Sequence, residues 1–138
     1  MNYFLKTNLI TVPIITFILI FGSPLMAYEN PILKVLLFKT SSYIDLKSYY
    51  GMNVSVQNHK SRGDFKVRFK YVGSKKISID NRWQVIESIW IDGDDSIQVI
   101  RRGKQEGRRY RGKLELKPYR GGFYVINHIP IEKYLEGV

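Results

Sequence analysis

YRGKLELKPYRGGFYVINHIPIEKYLEGV, residues Tyr110 to Val138, decides how the rest of the chain is read. Leu114 and Leu116 alternate with Lys113, Glu115 and Lys117, the period of two that a strand with one buried face requires. Pro118 is expected to stop that strand, since proline has no N–H to give to a ladder. Gly121-Gly122 then supplies a reversal, because glycine takes positive φ without steric cost, and Phe123 to Ile126 runs back as a second, more apolar strand. The pair reads as a hairpin. Pro130 suits the first position of a helix, and Glu132 suits the positive end of its dipole. Ile131, Tyr134, Leu135 and Val138 follow at i, i+3, i+4 and i+7, one apolar face.

Upstream of this hairpin the chain predicts more of the same. Ile32 to Lys39 is a compact apolar run, Tyr43 to Leu46 another, and Val54 to Val56 a third after Gly51. Phe65, Val67, Phe69 and Tyr71 alternate with Lys66, Arg68 and Lys70, placing one face in a core and the other in solvent. Gly73-Ser74 turns the chain, Ile77 and Ile79 repeat the alternation, and Trp83 to Ile91 reads as the longest strand, ended by Asp92-Gly93-Asp94-Asp95. Ile97 to Val99 follows, and then a polar loop to Tyr110. The fold class expected is therefore mainly β, short antiparallel strands and hairpins, with the start of a C-terminal helix.

Residues 1–27 are read as separate from that domain, which occupies 28–138. Lys6 is the only charged side chain before Glu29, and Leu9 to Phe21 is nearly all apolar, a leader helix cleaved after Ala27. Leu25 stands where a small residue is preferred, so an uncleaved membrane anchor stays open as the alternative. Either way the chain is expected to be exported, to the periplasm or cell envelope. The protein has 138 residues, no cysteine, 14% aromatic residues and a formal charge of +10. That excludes disulfides and thiolate chemistry and points to anionic partners. Export argues against nucleic acid, leaving anionic wall polymers or lipid headgroups.

Candidate sites follow from that charge. Arg101, Arg102, Lys104, Arg108, Arg109 and Arg111, with Lys113, face one acid, Glu106, within thirteen residues. They form either an anion-binding ribbon of arginine forks or a solvated hairpin tip. Asp92, Asp94 and Asp95 lack the glycine and glutamate positions of a calcium loop and read as a turn, so no metal or other cofactor is expected. His59 and His128 are too few for a histidine metal site. The tyrosines and tryptophans, including Tyr110, Tyr119 and Tyr124, could stack on sugar faces or fill the core and sheet edge.

The carboxy-terminal segment also carries a resemblance. Tyr110-Arg111-Gly112, the strand Leu114 to Leu116, Asn127, Pro130, Glu132, Tyr134-Leu135 and Gly137-Val138 resemble, in order and spacing, the signature of the stage II sporulation protein D / amidase enhancer (SpoIID/LytB) family. The signature covers about a fifth of the chain. It implies a β-rich front portion of a larger α+β domain that acts on peptidoglycan, as a lytic transglycosylase or as an enhancer of a cell-wall amidase. In the family the helix continues into a segment whose glutamate is the catalytic acid, and by the resemblance that position lies beyond Val138. No residue here is therefore assigned as catalytic. The reading alongside it is a non-enzymatic basic β-domain that binds anionic wall polymer or serves as an adaptor for an amidase.

Overall fold

The structure, a computed structural model, describes residues 29–57 and 59–137. The leader expected at residues 1–27, Val138 at the end of the apolar helix face, and the His59 side chain lie outside what it describes. Ten strands and one short helix follow in chain order: β1 (Ile32–Thr40), β2 (Tyr43–Val56), β3 (His59–Gly73), β4 (Lys76–Ile79), β5 (Trp83–Val85), β6 (Ile89–Gly93), β7 (Ile97–Arg101), β8 (Arg108–Tyr110), β9 (Lys113–Tyr119), β10 (Gly122–Pro130) and α1 (Ile131–Leu135). The fold is mainly antiparallel β with one short C-terminal helix, as the alternation patterns predict.

All ten strands belong to one sheet, ordered β1-β10-β9-β6-β2-β3-β4-β5, with β7 paired to β2 and β8 to β7. The long strand β2 makes this branching work. Its first half, Ile44 to Ser48, pairs with β7, and its second half, Met52 to Ser55, pairs with β6. Between them the pairing with β3 shifts register from Lys47 to Met52, and Gly51 sits at φ 93°. The extra residues there bend the strand. Two wings result, one built of β1, β10, β9 and β6 on the second half of β2, the other of β8, β7, β4 and β5 around the first half and the adjoining end of β3.

Burial shows that the wings cover each other. Ile44, Phe69, Ile77 and Ile97 from one wing and Ile91, Leu114, Leu116, Phe123 and Val125 from the other are fully buried and form a single cluster. Among the described residues the one helix, α1, contributes no buried residue, so sheet must pack on sheet to exclude water.

Several elements differ from the sequence expectation, each for a physical reason. Tyr43 to Leu46 and Val54 to Val56 are one fourteen-residue strand, because the apolar gap between them is the bend itself. Trp83 to Ile91 is not one strand: β5 is a hairpin partner of β4, and the chain turns before β6 enters the other wing. Two successive positive-φ residues, Asp80 and Asn81, close the β4–β5 hairpin in the pattern of a type I′ turn. Phe65 is 62% exposed, although it keeps the parity of the buried Val67 and Phe69, since it lies opposite the β2 bend where the core ends. The polar loop before Tyr110 contains strand β8, paired to β7. Pro118 does not end β9. It pairs with Phe123 beyond the last β6 partner, Ile89 with Leu116, where β9 has a neighbour on one side only and a proline is tolerated. Pro130 ends β10 and caps α1 instead of opening it.

Candidate functional site

The hairpin β9–β10 positions most of the residues singled out by the sequence. Its register pairs Tyr119 with Gly122, Glu115 with Ile126 and Lys113 with His128, so counting back from the turn fixes every cross-strand neighbour. Inward residues Leu114, Leu116, Phe123 and Val125 join the core, while Glu115, Ile126 and His128 share the outer face.

The two halves of the carboxy-terminal motif meet here. Gly112 has φ 89°, and a Cβ built on it would overlap the His128 carbonyl oxygen and stand 3.2 Å from Ile129 Cα. Arg111 reaches Glu136 at 3.6 Å across the surface. Asn127 points inward and is buried, with no partner for its Oδ1 among the described residues. Tyr110 is half-buried against the core. Glu132 accepts a hydrogen bond from Asn30 Nδ2 (3.2 Å), and the Ile131 N–H donates to the Pro31 carbonyl (3.0 Å). Tyr134 and Leu135 remain 43% and 64% exposed. Tyr119 and Tyr124 stack on each other, ring centroids 4.5 Å apart.

The basic residues gather on the other wing. Arg101, Arg102, Lys104, Arg108 and Arg109 are all exposed on the β7–β8 hairpin, with Arg111 just after it. Arg101 lies over the Phe38 ring at 4.6 Å. The contact is a cation–π one, while Arg102 and Lys104 occupy the tip.

A third cluster was not singled out by sequence reasoning. On the outer face of the first wing, His128 Nε2 lies 2.8 Å from Glu115 Oε2, and the Ser88 hydroxyl donates to Glu115 Oε1 at 2.8 Å. Both His128 and Glu115 side chains are nearly buried, at 9% and 13% exposure. Glutamate stands between serine and histidine, so the histidine cannot take the serine proton and no nucleophile is made. The cluster instead supports Trp90, whose ring packs against His128 with centroids 4.7 Å apart, tilted 57°. Trp90 is 38% exposed and lines a groove of about 510 Å³ with Asn53, Ser55, Lys60, Asp92 and Lys113. Asp92 and Lys113, cross-strand partners, form an ion pair at 3.4 Å.

The second nearly buried carboxylate, Asp45, is bound by both Arg68 Nε (2.6 Å) and the Arg68 terminal nitrogen (2.8 Å). That hydrogen-bonded guanidinium holds the Asp45 carboxyl below its ordinary value of 3.8, against the opposing effect of burial, and Asp45 in turn raises Arg68. Arg68 also lies over the Tyr43 ring at 4.3 Å, which makes the pair a structural clamp on β2 and β3. Among the described residues no group of three or more histidine, aspartate or glutamate side chains is placed to hold a metal ion. No helix among them is long and apolar enough to cross a membrane. Searches of family models, curated proteins and solved structures find no match to this chain.

Proposed function

We propose that this chain is the β-rich part of an exported cell-wall protein of the SpoIID/LytB type and that it associates with peptidoglycan. The observation that carries this reading is the packing of Gly112 on the His128 and Ile129 backbone. It joins the Tyr-Arg-Gly piece of the motif to the Asn-x-x-Pro-x-Glu piece fifteen residues later, so the spaced residues form one structural unit, which supports treating them as a signature. The proposal assigns binding to the described residues and no catalytic step. A glycosidic oxygen is protonated by a carboxylic acid with a free, desolvated O–H. Glu115 has both oxygens engaged by Ser88 and His128, and Asp45 has both engaged by Arg68.

A second reading, a non-enzymatic basic domain that grips anionic wall polymer and positions a partner amidase, is favoured by the exposed arginines of the β7–β8 hairpin. Co-sedimentation of the full chain with purified sacculi, with and without their covalently attached anionic polymers, separates the two. Under the first reading, binding survives stripping of those polymers and the double change Arg108→Glu, Arg109→Glu. Under the second, either treatment abolishes binding and salt weakens it steeply. Failure to sediment with any sacculi overturns both.

A further inference from the structure

We propose that the groove beside Trp90 is a subsite for a pyranose ring of an oligosaccharide chain. The inference deepens the wall-binding reading, on which it rests for the source of the sugar, by naming a site and a ligand class. A pyranose has apolar C–H faces and a rim of hydroxyls, so it calls for a flat aromatic surface with donors and acceptors around its edge. Trp90 supplies the surface. Its strand neighbours Ile89 and Ile91 are fully buried, which directs the indole outward. Asn53 offers an amide, Ser55 a hydroxyl, Asp92 a carboxylate, and Lys60 and Lys113 ammonium groups along the same groove.

The chemistry around the ring selects sugar over other ligands. Asp92 would face any phosphate bound beside Trp90, and with Lys60 and Lys113 it leaves the groove only a single net positive charge. The lining mixes the apolar surface of Trp90 and Ile91 with the polar groups of Asn53, Ser55 and Asp92, the combination a pyranose calls for and a purely apolar side chain does not. The lining crosses four neighbouring strands, β3, β2, β6 and β9, which at ~4.8 Å per strand spans about 14 Å, the length of a short oligosaccharide.

The platform is also fixed before anything binds. His128 backs the indole, Glu115 holds His128, and Ser88 holds Glu115, so a partly buried chain of two hydrogen bonds stands behind the exposed ring. A surface tryptophan without such support would lose side-chain freedom on binding; this one has lost it already.

The chain contains two tryptophans, so Trp83→Phe leaves Trp90 as the only indole. In that background, titration with the β-1,4-linked tetramer of N-acetylglucosamine, and separately of glucose, is followed by tryptophan emission and by calorimetry. Saturable change of Trp90 emission is expected. Calorimetry on the wild-type chain is expected to give binding at least roughly tenfold weaker for Trp90→Ala, while Trp90→Phe, which keeps a ring, stays within roughly threefold of wild type. A Trp90→Ala protein with unchanged circular dichroism and unchanged sugar affinity overturns the site. So does the absence of any response to both tetramers at millimolar concentration. If sacculi bind but neither tetramer does, the subsite fails and the wall reading stands. If a tetramer binds at Trp90 and sacculi do not, the subsite stands and the wall reading fails.

Discussion

Replacing Gly112 by alanine tests the contact that joins the two motif pieces. Two costs add. A residue with a Cβ at φ 89° is strained by about 1–3 kcal/mol. The new methyl would also overlap the carbonyl oxygen of His128, a residue hydrogen-bonded between β1 and β9 on either side. That backbone cannot swing away as a flexible side chain would, and forcing atoms into such a site costs about 1–3 kcal/mol more. The sum is about 2–6 kcal/mol. Gly103 provides the control, since it has φ 75° but nothing within 4 Å of the built Cβ, so Gly103→Ala should show the strain alone, about 1–2 kcal/mol. Urea unfolding of the full chain, followed by circular dichroism, reads the difference. With a slope of about 1 kcal/mol per molar urea for a domain of this size, Gly112→Ala should lower the midpoint by roughly 2 M more than Gly103→Ala, at equal slope. Equal midpoints for the two variants would refute the close packing of Gly112 on His128 and with it the structural basis for reading the motif as one unit.

Three further outcomes follow from the same geometry. Asp45→Asn should destabilise by about 1–3 kcal/mol, below the cost of about 3–5 kcal/mol for breaking a fully buried pair because Arg68 is 43% exposed. Since the Asp45 pKa is depressed, its contribution is fully present above the ordinary value of 3.8 and is lost as pH falls through the folded value; the gap between wild type and Asp45→Asn in urea midpoints should be flat from about pH 7 to 5 and shrink below about pH 4. Glu115→Ala should cost about 2–3 kcal/mol in thermal unfolding by stranding Ser88 and His128, and should shift Trp90 emission to the red as its backing loosens. Phe123→Ala, at a fully buried position under both wings, should cost about 3–5 kcal/mol, measured by the urea midpoint.

The hairpin β9–β10 was legible because most local cues agree, Pro118 apart: alternation at Leu114 and Leu116, glycines at the turn, and an aromatic and β-branched run after it. The bend of β2 was not, since Tyr49-Tyr50-Gly51 looks locally like a turn between two strands, and only pairing to β6 on one side and β7 on the other keeps it a single strand. Trp83 to Ile91 misled for the opposite reason. Apolar residues dominate on both sides of Glu87-Ser88, but that pair marks where the chain leaves one wing for the other. Local propensity carries no information about such a transfer. The basic residues were found by charge and do lie together on one exposed hairpin. The sequence marks the tryptophans as candidates for sugar stacking and His128 as a lone histidine, but the cluster of Trp90, His128 and Glu115 was missed, although a signal existed. Trp90 alternates with Ile89 and Ile91, which puts it on the outer face, and the register counted from Gly122 makes His128 a diagonal neighbour of Glu115. What could not be counted was the pairing of β6 with β9, which joins segments separated by more than twenty residues and brings Trp90 to His128.

The pairing of β1 with β10 has a mechanical consequence. Ile32 lies opposite Pro130, and Pro31 and Asn30 bond to Ile131 and Glu132, so residues near position 30 and those of α1 leave the sheet from the same end of one antiparallel pair. Tension applied between those two points does not load the ladder in parallel. It opens the pair like a zipper, Ile32 from Pro130 first and Leu33 from Ile129 next, with each rung taking the whole force in turn. A pull between residue 30 and the β7–β8 hairpin has no such rung-by-rung path, because it must pass through β2 and the shared core. The molecule is therefore soft along one axis and stiff along another, and the direction from which it is held decides which strand is first to come away.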